Sequence, residues 1–267
     1  ERQFPLWRPT IMSGTPFAAN PLAALYYPFN WPLLFLPWLP LEVGFNLSAL
    51  LHLWLTGITM YALMRRGFGS GTWGAILAAV AYAGSPKLLA HLGAGHVGWV
   101  QAWAWLPLVA LCILRASPES RHPWRWAVLA GVVLAVQCCA DVRVSAYTLV
   151  AAATLALTRL GHQTVQKMRM GGGIRLRPKG APVENVAFLA ISLGVFLGLS
   201  ACQWIPTLAL LPETTRAAMT FQDAAVWSLP WRYLAGVLLA DHGGFHEWMT
   251  YLGVGTLVFA YMGAQSL

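Results

Sequence analysis

Apolar residues run through this chain in long blocks. They show neither the alternation of half-buried strands nor the one-sided stripe of surface helices. Seven blocks stand out, at about 41–64, 71–86, 97–114, 124–140, 144–160, 185–206 and 249–265. Several approach or exceed the ~20 residues with which an α-helix crosses the ~30 Å hydrocarbon core of a bilayer. The pattern predicts an all-α, polytopic membrane protein of about seven transmembrane helices, forming one transmembrane domain over residues 1–267. The second, fourth and fifth blocks are short for a crossing, so their edges are the least defined.

Composition agrees with the pattern. Of 267 residues, 58% are hydrophobic and 10% charged, against roughly 25% charged in soluble domains. A soluble fold is excluded on that ground. The four cysteines, Cys112, Cys138, Cys139 and Cys202, all fall in apolar blocks and read as buried packing residues. Their spacing matches no zinc motif.

The net charge of +8 is a matter of topology and not of nucleic acid. With seven spans, one side of the membrane receives Arg65, Arg66, Arg115, Arg121, Arg125, Arg159, Lys167, Arg169, Arg175, Arg177 and Lys179, with only Glu119 and Glu184 as acids. The other side holds Arg2, Arg8, Lys87, Arg143, Arg216 and Arg232 with all the remaining acids. By the positive-inside rule the first side is cytoplasmic. Residues 1–40 are then an outer loop that lacks a basic, apolar leader, which implies a further span ahead of Glu1. The segment "NWPLLFLPWLP" (30–40) is too short and proline-broken to cross. It suits the interface, with Trp31 and Trp38 at headgroup depth. Residues 86–96 read as an outer connection, and 207–248 as the longest outer loop.

Some motifs carry little chemistry. Gly69, Gly71 and Gly74 match a dinucleotide fingerprint in spacing but have no strand before them, so they read as a tight turn. Gly194 and Gly198 form a GxxxG, expected to seat one helix closely on another. Other residues are candidates for a polar site. Asp141 and Arg143, in "ADVRVSAY", sit at a span end, where charges are either paired or functional. They read as an interfacial pair closing a hairpin or as a carboxylate and guanidinium facing substrate. His91 and His96, and Asp241, His242, His246 and Glu247 in "DHGGFHE", are outer-side polar groups suited to hydrogen-bonding a substrate. The alternative for His242 and His246 is a divalent metal, but Gly243–Gly244 argue against the helix that their spacing would need. His52, inside the first block, reads as a bundle hydrogen-bonder or, less readily, a pigment or haem ligand. No serine nucleophile elbow and no HExxH motif occurs.

Set in order, several stretches resemble the YfhO-type bacterial membrane proteins, which have GT-C glycosyltransferase architecture. The first-loop signature is matched by Pro5, Trp7 and Pro9, then Gly14, Pro16, Ala19, Asn20 and Pro21, then Tyr27 and Pro28. "AHLGAGHVGWVQAWAWLPL", "ADVRVSAYTL", "QWIPTLALLPETTRA", "WSLPWRYL" and "YLGV" follow in the family's order. Arg8 stands where the family usually has Asn, and Leu22 where it usually has Gln. The resemblance implies a bacterial inner-membrane transferase; the charge topology puts its N-terminus outside and its C-terminus in the cytoplasm. It would move a sugar from a polyprenyl-phosphate donor to an extracytoplasmic lipid or envelope polymer. It also implies a catalytic carboxylate early in the first loop, ahead of Glu1. Within the chain it makes Asp141 a second acidic group. Arg143, Arg216, Arg232 and Lys87 become donor-phosphate contacts. His91, His96, Asn20, Asp241 and His246 become further substrate contacts, with no resident metal assigned.

A second class fits the same residues: a non-catalytic scaffold or accessory subunit among other membrane subunits, one variant of which holds a pigment or haem through His52, His91 or His96. A transporter is disfavoured. No internal repeat is evident, and apart from His52 the ionisable residues cluster at span ends.

Overall fold

A computed structural model describes residues 5–11, 13–118, 120–169, 182–226, 228–239 and 248–265. The described residues are mainly helical, with a single two-stranded ribbon among them, Trp7–Arg8 (β1) antiparallel to Thr15–Pro16 (β2). Gly14 turns this ribbon at φ +115°, directly beneath the Trp7 indole. A Cβ there would lie 2.5 Å from the ring, so only glycine allows the hairpin. Two short turns follow, Pro28–Asn30 and Trp31–Leu34 (α1). Prolines at 28, 32, 37 and 40 stop either from lengthening. This agrees with a segment that does not cross, and Trp31 and Trp38 are exposed on it.

The bundle begins at Leu41–Ala62 (α2), whose end widens into a π-type turn over Leu63–Gly67. Gly69, at φ +69°, completes the reversal, as the tight-turn reading expects. Thr72–Ala83 (α3) leads back, and Pro86–Gly93 (α4) continues it. The expected loop at 86–96 is therefore corrected: most of it is helix. The overlooked signal is Ser85–Pro86. The Ser85 Oγ accepts the Leu88 N–H at 3.4 Å as an N-cap, and proline is favoured at the first helical position.

Val97–Trp103 (α5) and Leu106–Arg115 (α6) form the third block, interrupted just before Pro107. That residue has no N–H to continue the ladder, and its ring crowds the carbonyl one turn back. Pro123–Ala140 (α7) and Val142–Arg169 (α8) make a hairpin hinged on Asp141. Pro182–Leu199 (α9) bends by 70° into Ala201–Leu210 (α10). The sixth block was expected to be a continuous span. The break lies beside Gly198 and Ser200, and the Ser200 Oγ donates back to the Phe196 carbonyl at 2.6 Å, a local competitor of the helical ladder. Phe221–Ala225 (α11) and Val254–Gln265 (α12) complete the described helices.

Among the described residues, four helical stretches are long and apolar enough to cross a membrane: 41–67, 72–93, 97–115 and 123–140. The bent α9–α10 pair makes a fifth if it is one crossing. The apolar part of α8, residues 142–158, is shorter.

The core lies where α5, α6 and α7 meet. Val100, Ala102, Val109, Cys112, Leu134, Cys138 and Ala140 are all essentially buried there. α7 packs along α9 through Gly131: a Cβ at that position would fall 2.5 Å from the Ser192 carbonyl oxygen and 2.7 Å from Val195. Ser192 returns a hydrogen bond across the same seam, Oγ to the Ala127 carbonyl at 2.8 Å. This overturns the expectation for Gly194 and Gly198, beside which a Cβ would meet nothing within 4 Å. They lie on a face of α9 that no described element covers. Cys112, Cys138 and Cys139 are buried as expected, but Cys202 is exposed, because it follows the bend that turns α10 away from α9.

Candidate functional site

Three polar features stand out. The opening segment folds onto the bundle through a buried latch. Tyr27 has no exposed surface. Its hydroxyl lies 2.6 Å from His52 Nε2 on α2 and accepts the Trp105 indole N–H at 2.8 Å. His52 Nδ1 lies 2.6 Å from the Ser48 carbonyl, so both ring nitrogens are engaged. The Nδ1 therefore donates to that carbonyl, and Nε2 accepts from Tyr27. Burial raises the Tyr27 hydroxyl above the ordinary tyrosine pKa, with the Trp105 bond opposing the rise. Beside it, the Gln101 amide donates to Asn30 Oδ1 at 2.7 Å and to Ser48 Oγ at 2.9 Å. Phe29 packs on Trp105, with ring centroids 5.1 Å apart. A further tie joins the segment to α10: Thr207 Oγ1 donates to the Ala19 carbonyl at 3.0 Å.

Asp141 and Arg143 form the second feature. The Arg143 guanidinium grips the carboxylate in a fork, Nη2 to Oδ2 at 2.8 Å and Nε to Oδ1 at 3.2 Å. The Arg143 backbone N–H adds a bond to Oδ1 at 2.9 Å, an N-cap on α8. The side chain of Asp141 is 2% exposed and that of Arg143 44%. The arrangement closes the α7–α8 hairpin and holds the guanidinium at the surface in one orientation.

His91 and His96 form the third. Their Nδ1 atoms are 2.9 Å apart, so one ring donates and the other accepts. His91 is buried and stacks on Trp99 at 3.8 Å, and Trp99 stacks in turn on Trp103 at 4.7 Å. Lys87 sits one helical turn before His91 on α4. The start of α5 touches the end of α7, since a Cβ on Gly98 would lie 3.0 Å from the Ala140 carbonyl oxygen. The histidine pair and the Asp141–Arg143 pair are thereby attached to adjoining helix ends.

Other sequence candidates lie apart. Asn20 is exposed and its Oδ1 accepts the Leu22 N–H at 2.9 Å, which shapes its own turn. Arg216, in the turn Thr215–Ala218, and Arg232, over the Tyr233 ring at 5.1 Å, are exposed on the later loop. Asp241, His242, His246 and Glu247 lie outside the described residues. Among the described residues, no group of three His, Cys, Asp or Glu side chains could hold a metal ion.

Reading the sequence missed the latch partners Gln101, Ser48 and Trp105. A signal existed: Gln101 is a lone amide in the apolar run "VGWVQAWAWLPL", and a polar side chain inside a span needs a partner. Gln137 carries the same mark. It is fully buried, with its Nε2 donating to the Ala102 carbonyl at 3.0 Å.

The fold is that of a helical protein with four or five membrane-length apolar helices. Comparison with protein-family models, curated proteins and solved structures finds no match.

Proposed function

We propose that the chain is the membrane scaffold of a lipid-linked sugar transferase of GT-C type, which holds a polyprenyl-phosphate sugar at the end of the bundle that carries the opening segment. The reading counts all seven apolar blocks as crossings and takes the arginine-rich end as cytoplasmic. The latch is the observation that carries it. One wall of a lipid-substrate site must be held still. The Tyr27–His52–Trp105 and Asn30–Gln101–Ser48 bonds do that beside the His91–His96 and Asp141–Arg143 pairs.

In this reading Arg143, oriented by Asp141, receives the donor phosphate, and Lys87, His91 and His96 adjoin it. Asn20, Arg216, Arg232, Asp241 and His246 supply outlying contacts. The acceptor hydroxyl oxygen attacks the anomeric carbon of the sugar. The bond from that carbon to the phosphate oxygen breaks, and its electron pair leaves on the polyprenyl phosphate. A carboxylate takes the hydroxyl proton, and the cations stabilise the charge gathering on phosphate. Asp141, already gripped by Arg143, acts as a positioning group. The resemblance assigns the base itself to another carboxylate, in the first outer loop.

One observation favours the accessory-subunit reading instead: both oxygens of Asp141 are taken by Arg143. The variant with a pigment or haem on His52 draws no support, since both of its ring nitrogens are engaged.

The test is retention of a polyprenyl-phosphate hexose by the purified chain in lipid nanodiscs, read by native mass spectrometry. Wild type is expected to retain it. Arg143→Ala removes a charge-assisted contact, for a loss of about 2 kcal/mol or roughly thirtyfold in affinity. Absence of binding by wild type, or unchanged binding by a folded Arg143→Ala protein, overturns the proposal.

A further inference from the structure

The opposite end of the bundle presents a basic surface for which the proposed transfer has no use. The turn after α2 carries Arg65 and Arg66, α6 ends on Arg115, and α7 begins beside Arg121 and Arg125. The first two elements are in contact: a Cβ on Gly67 would lie 3.0 Å from Leu114 Cδ1 and 3.6 Å from Leu111 Cδ1. All five arginines are exposed. Arg65 spends one N–H on the Ser70 carbonyl at 2.5 Å, which closes the turn and fixes its guanidinium at the surface. Among the described residues, none of the five has a carboxylate within ion-pair distance. Glu184, at the start of α9, is the described acid of this end. Three large aromatic side chains, Phe68, Trp73 and Trp124, stand exposed on the same turns and helix starts.

Guanidinium groups gathered at one end, with no ion pair to a described carboxylate, suit an anion, and their planar fork matches phosphate in particular. Tryptophan exposed at a helix end suits the boundary between headgroups and acyl chains. Together these features select a ligand with an anionic phosphate head and an apolar tail. We infer that this end binds anionic phospholipid, with headgroup phosphates seated among Arg65, Arg66, Arg115, Arg121 and Arg125 and acyl chains against Phe68, Trp73 and Trp124. Such a seat fixes the depth of α2, α3, α6 and α7 in the bilayer by basic-pocket recognition of lipid.

The experiment reconstitutes the purified full chain in nanodiscs of equal parts phosphatidylcholine and phosphatidylglycerol. Lipids that survive detergent extraction are counted by native mass spectrometry. Phosphatidylglycerol is expected to be enriched at least fivefold over phosphatidylcholine. The enrichment falls to parity in the variant with all five arginines changed to Gln, and in wild type near ~1 M salt, where the Debye length is only ~3 Å. Changing the same five to Lys retains part of it. Inorganic phosphate at millimolar concentration leaves it intact, which separates a lipid seat from a free-phosphate site. Parity in wild type, full enrichment in the Gln variant, or displacement by free phosphate overturns the inference. Should the Gln variant fail to fold, the wild-type ratio and its salt dependence decide alone. Sugar-donor retention at the other end is a separate measurement, so either reading fails without the other.

Discussion

Two aromatic-rich regions of this protein differ in how their rings are used. In the opening segment, Tyr27 is fully buried and its hydroxyl joins α2 to the start of α6. In the later loop, Phe221 is 88% exposed and Trp231 85%, while Thr220 and Asp223 bond within their own turn. Both stretches are rich in aromatic residues, though residues 5–40 hold eight prolines and 207–248 only two. The difference is whether the polar tip of an aromatic meets a buried partner on another element. For Tyr27 it does, and the ring is architecture, whereas Trp38 of the same segment is exposed like Trp231.

Breaking the latch should give the largest effect. Tyr27→Ala empties a filled site and strands the Trp105 N–H and the His52 nitrogen, so a loss of about 3–5 kcal/mol is expected. Thermal unfolding in detergent reads that loss, and protease cleavage within residues 5–40 should speed up in parallel. Trp231→Ala, at an exposed ring of the other region, should stay within ~0.5 kcal/mol of wild type. Equal losses for the two would erase the contrast.

A second comparison sharpens the same lesson for glycine. Gly131→Ala should cost about 1–3 kcal/mol, since its methyl meets the Ser192 carbonyl across the α7–α9 seam. Gly194→Ala meets open space, and unfolding midpoints of the two single variants would show whether the seam is where the geometry puts it.

The smallest effect concerns the cap of α11. The Thr220 hydroxyl and backbone N–H hold the Asp223 carboxyl below the ordinary aspartate pKa. A depressed folded value means the cap contributes above the unfolded pKa and is lost as pH falls through the folded one. Carbon-detected NMR of Asp223 should show this acid-shifted titration, with no change in global unfolding between neutral pH and about pH 5. An Asp223 that titrates as a free aspartate would show that the cap is absent in solution.

Legibility in the sequence followed the range of each interaction. The blocks at 41–64, 97–114 and 124–140 were readable because apolar content along one helix is a local property. The 86–96 connection is mostly helix, Pro86–Gly93, although its Ser85–Pro86 start signal is equally local. The bend at Ser200 was harder to see, since Gly and Ser are tolerated in straight helices as well. Of the candidate site, Asp141–Arg143 and His91–His96 could be nominated as pairs because each lies within a few residues of chain. Tyr27, His52 and Trp105 could not be joined, because 25 and 78 residues separate Tyr27 from its two partners.

The sequence by itself determined that this chain is helical and apolar, where most of its long helices run, and that its charges gather at helix ends. Those properties add up residue by residue along the chain. Only the tertiary structure decided that Gly131 and not Gly194 seats a neighbouring helix, that Cys202 faces outward, and that an aromatic loop is pinned to the bundle by buried hydrogen bonds. Each of these depends on which faces of distant helices meet, and hydropathy carries no record of that choice.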